Sequence, residues 1–219
     1  MPCLLYCVTQ QEEVVPVASG VCDAVVQSQE VIGLRVYWSE IADPEACLGA
    51  PESLKQAAAQ SQRVLREVLA ATTPIPFPFP TLIENADELE RYLAPTAEAY
   101  GATLARLGNT VQYEIVASWG ADEQADLAKP VTGREYRKRR EETAARIAAL
   151  DHKLRTVTDD SVSKWRDRQD RRMHRWFALV PRECRERFLA SLRSASPSEG
   201  VRLRLSGPWP PSEFITRPD

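Results

Sequence analysis

The chain has 219 residues, with 28 basic and 31 acidic side chains and a net charge of −3 when its two histidines are neutral. Its 43% hydrophobic and 27% charged residues exclude a disordered chain. No apolar run approaches the ~20 residues of a bilayer-spanning helix, and five irregularly spaced cysteines with two histidines argue against a disulfide scaffold or a metal-rich site. The length allows one large domain or two small ones.

The net charge hides a division. Residues 1–133 carry 7 basic and 18 acidic residues, a net −11, and residues 134–219 carry 21 and 13, a net +8. Two parts so unlike favour a partner, or docking within the chain, of opposite sign.

The first ten residues lack the basic start, apolar stretch and small-residue cleavage site of a signal peptide, and read as a strand. The odd number of cysteines and the absence of a secretory signature predict reduced thiols in a cytoplasm. Cys3 and Cys7 are expected on one strand face with Leu5, as small buried hydrophobes. Residues 21–27 and 31–38 are β-branched runs that suit a hairpin. Residues 51–71 then show Leu54, Ala58, Ser61, Leu65 and Val68 at helical spacing, with Pro51 fitting the first turn.

Proline occupies positions 74, 76, 78 and 80, with Ile75, Phe77 and Phe79 between them. In an extended chain such prolines remove donors along one edge only, which suits a stiffened linker or edge segment. A proline-rich ligand for an aromatic groove is the functional alternative. The run is also a natural boundary, dividing a 1–72 domain from a 73–219 domain.

Residues 85–107 carry Leu89, Tyr92, Leu93, Tyr100, Leu104 and Leu107 on one helical face, with Pro95 kinking or splitting the helix. Val111, Tyr113, Ile115, Ala117 and Trp119 alternate with mostly polar residues as a half-buried strand. Thr132 and Glu135 form a capping box for a long charged helix with Tyr136, Ala144, Ile147, Leu150 and Leu154 on its inner side. Residues 156–172 are polar. Residues 173–180 read as a strand, 182–194 as a helix with Phe188, Leu189 and Leu192 inward, and 201–206 as a strand with a basic outer face. From about residue 75 the order is strand, helix, strand, inserted helix, strand, helix, strand. Without the helical insertion near 130–172 this is βαββαβ, a modified ferredoxin-like arrangement. The predicted class is α+β in two domains, the second carrying an inserted charged helical arm.

No nucleotide-binding glycine loop, zinc-protease helix or nucleophile elbow occurs. His152 and His174 stand beside basic residues without an orienting partner. The expectation is therefore a non-enzymatic chain with no catalytic, cofactor-binding or metal-binding residues and no small-molecule substrate. Two basic clusters stand out, Gly133 to Arg140 and Lys164 to Arg175. Interleaved Glu141, Glu142, Asp167 and Asp170 would repel phosphate, so a protein-facing arm is favoured over nucleic acid.

The closing stretch, residues 201–215, reads VRLRLSGPWPPSEFI. Gly207 permits a turn out of the strand, Pro208, Pro210 and Pro211 set an extended path, and Trp209 and Phe214 can anchor the tail on an apolar surface. That surface is either the protein's own core or a partner. This Gly-Pro-Trp-Pro-Pro signature, with the Gly-Arg-Glu-Tyr helix start at residues 133–136, resembles the gas vesicle protein F/L (GvpL/GvpF) family. Leu5-Tyr6 in the first strand and Val-Gln-Tyr-Glu at 111–114 add weaker matches. The family's Arg-Phe-Gly-Thr motif corresponds to Pro78-Phe79-Pro80-Thr81, which marks a divergent member.

The resemblance implies two α+β domains, the second ferredoxin-like, and a minor or accessory role in building gas vesicles in the cytoplasm. The implied partners are the vesicle shell protein and other accessory proteins, without nucleic acid or membrane. The candidate interaction residues are Arg134, Tyr136, Arg137, Lys138, Arg139, Arg140, Trp209 and Phe214. The alternative is an adaptor of the same descent that binds other proteins and is not tied to vesicles.

Overall fold

The computed structural model describes residues 1–10, 14–119, 133–170, 173–194 and 201–215. The described chain holds two four-stranded sheets and divides into two compact units, Met1–Thr110 with Trp209–Asp219, and Val111–Pro208.

The first unit is built around β1 (Cys3–Gln10), whose residues 3–9 are all buried. β2 (Gln27–Val31) and β3 (Leu34–Glu40) form an antiparallel hairpin, β3 pairs with β1, and β4 (Ile75–Ile83) closes the order β2-β3-β1-β4. A strand buried on both faces needs cover on both. One face packs on α2 (Pro51–Ala71) through Ala57, Val64, Leu65 and Val68, and the other on α3 (Leu89–Leu93) and α4 (Ala97–Leu107) through Leu89, Leu93, Ala97 and Leu104. A short α1 (Pro44–Leu48) precedes α2, with the Asp43 side chain accepting from the Ala46 N–H at 3.0 Å.

A bulge in β1 changes which residues share a face. Leu5 lies opposite Trp38 and Cys7 opposite Tyr37, so Tyr6 is an extra residue on β1. Cys3, Leu5 and Val8 therefore join the α3–α4 cluster, while Leu4, Tyr6 and Cys7 join the α2 cluster. Cys3 and Cys7 are both buried, but on opposite faces, contrary to strict alternation.

The proline run forms an edge strand. Pro76 lies opposite Cys7, and the next pair toward the strand's end is Thr81 with Leu5, so Phe77 to Pro80 bulge out of register. Pro78 and Pro80 thus fall where no ladder donor is required. Phe77 is buried in the α3–α4 cluster, and Phe79 packs against the α2 cluster.

The second unit runs β5 (Thr110–Trp119), α5 (Gly133–Thr158), β6 (Lys164–Asp170), β7 (Met173–Pro181), α6 (Arg185–Ser194) and β8 (Val201–Trp209). Its sheet order is β6-β7-β5-β8. This is βαββαβ, with the first and third strands central.

The ferredoxin-like arrangement is therefore present with a shifted cast. Residues 75–83 pair with β1 in the first unit, so the expected division at residue 72 gives way to one near residue 110. The first strand of the second unit is β5. The charged helix expected as an insertion is the crossover helix between β5 and β6. The stretch 156–172, read only as polar and given no element, holds the end of that helix and the whole of β6. An edge strand of sequence KWRDRQD, with no buried side chain among its described ones, shows no apolar alternation.

Two other local expectations change and one holds. Residues 21–23 form a 3-10 turn rather than a strand, with Cys22 at φ 52° and Asp23 at φ 57°. The helical pattern at 85–107 divides into α3 and α4 around Pro95, the split that the proline was expected to cause. Gly207 does not end the last strand. It sits inside β8 at φ +128°, where an added Cβ would lie 2.9 Å from the Gln112 carbonyl oxygen.

Cysteine pairing also departs from the reduced state. Cys22 and Cys47 are bonded as a disulfide, with Cα atoms 6.3 Å apart, and Cys3, Cys7 and Cys184 are free.

Candidate protein-interaction site

α5 divides along its length. From residue 133 to 149 no described side chain is buried, whereas Leu150, Leu154 and Thr158 are. Ala144, expected on the inner side, is exposed, and Ile147 is half-buried. The first four turns are thus a charged face, and the last two dock the helix.

On the exposed part, Arg134, Arg137 and Lys138 face solvent. Arg137 Nε donates to the Gly133 carbonyl oxygen at 3.3 Å, and Lys138 Nζ stands 3.9 Å from Glu142 one turn on. Such an exposed i,i+4 pair is worth about 0.3–0.5 kcal/mol and leaves both charges open to a partner. The side chains of Tyr136, Arg139 and Arg140, and residue Thr132 of the expected capping box, lie outside the described residues.

The docked end of α5 is held by a polar network that sequence spacing alone did not assemble. Asp151 accepts from Arg155 Nε at 2.8 and 2.9 Å and from the indole N–H of Trp176 at 2.9 Å. Arg155 also lies 3.9 Å from Asp167 of β6 and 5.5 Å above the Trp165 ring. One helix turn is thereby tied to both strands of the β6–β7 hairpin. The i,i+4 spacing of Asp151 and Arg155 was the sequence signal available; its link to Trp176 spans 25 residues.

His174 stacks on Trp176 with ring centroids 4.3 Å apart and is 7% exposed. Burial lowers its pKa below the usual 6.5, while Asp167 and Asp151 pull the other way. Its Nδ1 has no hydrogen-bond partner among the described residues, which suits a neutral ring packed as core. His152 is exposed on α5. Among the described residues, no cluster of three or more His, Cys, Asp or Glu side chains is placed to hold a metal ion, and no helix is long and apolar enough to cross a membrane.

The tail residues have a different setting. Phe214 is 4% exposed. Its N–H donates to the Pro211 carbonyl at 3.0 Å, and its own carbonyl accepts from Arg106 Nη2 of α4 at 2.9 Å. Ile215 packs on the α3–α4 cluster. Residues 209–215 therefore seal the first unit, with Trp209 half-buried at their start. Of the two surfaces open to the tail, Phe214 takes the protein's own core. The candidate residues fall in different units, the arm in the second and the tail in the first.

Known proteins match this architecture along its whole length. The family model described as gas vesicle synthesis protein GvpL/GvpF matches residues 2–216. The crystal structure of gas vesicle protein GvpF from Anabaena sp. PCC7120 superposes with a TM-score of 0.78 at 15% identity, covering 100% of this chain and 97% of that one. GvpF from Microcystis aeruginosa gives 0.76 at 16% identity, covering 99% of each chain. No curated protein matches the sequence. Identities this low speak to fold, but the family match is continuous from the first strand to the Phe214 anchor. The chain belongs to the gas vesicle GvpL/GvpF family.

Proposed function

We propose that this chain is an accessory or minor structural protein of gas vesicle assembly, acting in the cytoplasm without enzymatic chemistry. It contacts the vesicle shell protein and other accessory proteins. The observation that carries this reading is the family match over residues 2–216. The exposed, charged first half of α5 supports a protein-facing role, because a helix with no buried described side chain over residues 133–149 contributes little to its own unit's core. Arg134, Tyr136, Arg137, Lys138, Arg139 and Arg140 are the proposed contact residues. Trp209 is half-buried at the start of the tail and supplies its remaining contact candidate.

Deletion of the gene combined with capture of the shell protein by the purified chain tests the reading. Loss of vesicles and retention of the shell protein are expected. Intact vesicles in the deletion strain, with no shell-protein capture, would sink it.

A further inference from the structure

We infer that Cys22 and Cys47 form a thiol–disulfide exchange site, in which an external thiol attacks Cys22 and Cys47 is the leaving and resolving sulfur. The inference concerns a modification site of the first unit and is independent of the vesicle role.

The two sulfurs are bonded across 25 residues of sequence, and their Cα separation of 6.3 Å lies inside the roughly 4.4–6.8 Å span of disulfides. Access is unequal. Cys22 is exposed, whereas Cys47 is 5% exposed. An open cleft of about 600 Å³ lies against both cysteines and is lined also by Met1, Val25, Glu40 and Asp43. Cavities of a few hundred to about 1,000 Å³ admit small molecules, so a thiol of glutathione's class can reach the Cys22 sulfur. The remaining cysteines do not compete. Cys3 and Cys7 are fully buried, with burial raising the pKa of each thiol, and Cys184 belongs to the second unit.

The segment bearing Cys22 is held by non-covalent ties besides the disulfide. Residues 14–20 and 24–26 form neither helix nor strand, yet the segment is tied down by side chains. Val15 N–H donates to the Tyr37 hydroxyl at 3.0 Å, Val21 N–H to the Tyr6 hydroxyl at 2.9 Å, and Cys22 N–H to Gln60 Oε1 at 3.0 Å. Arg63 donates to Ser19 Oγ at 2.7 Å. Val15, Val17, Ala24 and Val26 meanwhile pack on the α2 cluster. Reduction therefore leaves two thiols side by side, ready to reclose, on a strap that covers apolar core and has lost its covalent tie.

The exchange balances with thiols alone. A thiolate attacks Cys22 Sγ, the Cys22–Cys47 bond breaks, and Cys47 leaves as a thiolate that takes up a proton. A second external thiolate then attacks the external sulfur of that mixed disulfide, and Cys22 leaves as a thiolate that takes up a proton. Two external thiols are oxidised to one disulfide, and the protein gains two thiols. Disulfides with an exposed sulfur are the labile, regulatory kind, and those of reducing compartments are mostly transient.

The test maps alkylated cysteines by peptide mass spectrometry, after denaturation, along a glutathione redox titration of the native wild-type chain. Cys22 and Cys47 are expected to change together from linked to alkylated, while Cys3, Cys7 and Cys184 are alkylated throughout. Native Cys47→Ser treated with glutathione disulfide is expected to carry an adduct at Cys22, whereas Cys22→Ser leaves Cys47 unmodified. Limited proteolysis of the reduced wild type should cut within residues 14–26 at least ~5-fold faster than in the oxidised form. Free Cys22 and Cys47 at every glutathione ratio would overturn the proposal. So would equal adduct formation on Cys47 in Cys22→Ser, or equal cleavage of the two forms. The wild-type titration and proteolysis need no variant to fold, and none of these readouts involves a vesicle.

Discussion

Trp176 is fully buried, and its indole N–H finds its acceptor 2.9 Å away in the Asp151 carboxylate of α5. Removing that acceptor strands a buried donor and releases Arg155 from its closest partner. Asp151→Ala is expected to destabilise the protein by about 1–3 kcal/mol. Urea denaturation followed by tryptophan fluorescence measures it. A midpoint unchanged from wild type would show that the contact carries no net stability.

The neighbouring His174 sets an acid limit. Its folded-state pKa is lowered by burial from the ordinary 6.5, with Asp167 and Asp151 opposing. The unfolded chain therefore binds the proton more readily, and the stability from the neutral ring is complete above pH 6.5. It is lost as pH falls from 6.5 toward the lower folded value. Unfolding midpoints between pH 8 and 5 should fall across that window, and His174→Gln should flatten the slope. An identical slope in the variant would remove His174 as the cause.

Gly207 has both a left-handed φ and no room for a side chain. Gly207→Ala combines backbone strain with a Cβ 2.9 Å from the Gln112 oxygen and from the Tyr113 ring. A loss of about 1–3 kcal/mol is expected from the backbone alone. Thermal unfolding reads the outcome, and a variant as stable as wild type would mean that β8 relaxes freely.

Arm and tail separate by what their substitutions change. Replacing Arg134, Arg137 and Lys138 with Glu touches only exposed positions, so each change should move stability by no more than ~0.5 kcal/mol. Capture of the shell protein should nevertheless fall, with the wild-type interaction weakening as salt rises. Undiminished capture would exclude the arm as a contact.

Phe214→Ala should do the reverse. It empties a buried position and costs about 3 kcal/mol, while the protein that remains folded captures partners as before. Full stability with lost capture would instead make the tail a partner-binding element.

Legibility followed the range over which the physics acts. The alternation of Val111, Tyr113 and Ile115 announced β5, and the apolar run at 173–180 announced β7, because burial of a strand face is written residue by residue. Pro51 and the helical spacing behind it announced α2. β6 was not legible, since a charged edge strand obtains its order from β7 and not from its own side chains. Nor was the small turn at 21–23, where the β-branched Val21 sits in a loop held by Tyr6 and Gln60.

The candidate residues were legible as chemistry and not as placement. A charged arm could be read from residues 133–140. That Phe214 turns into the first unit depends on Arg106, which lies 108 residues earlier in the chain.

By itself the sequence determined the α+β character, the order of most elements, the charge division and, through its closing Gly-Pro-Trp-Pro-Pro signature, the family. Each rests on local periodicity or a contiguous motif. Tertiary structure alone decided that the proline strand pairs with β1, that the charged helix is the crossover of the second unit, that Cys3 and Cys7 face apart, and that Cys22 meets Cys47. Those outcomes depend on ladder hydrogen bonds, a bulge set by pairing with another strand, and burial shared between segments distant in the chain.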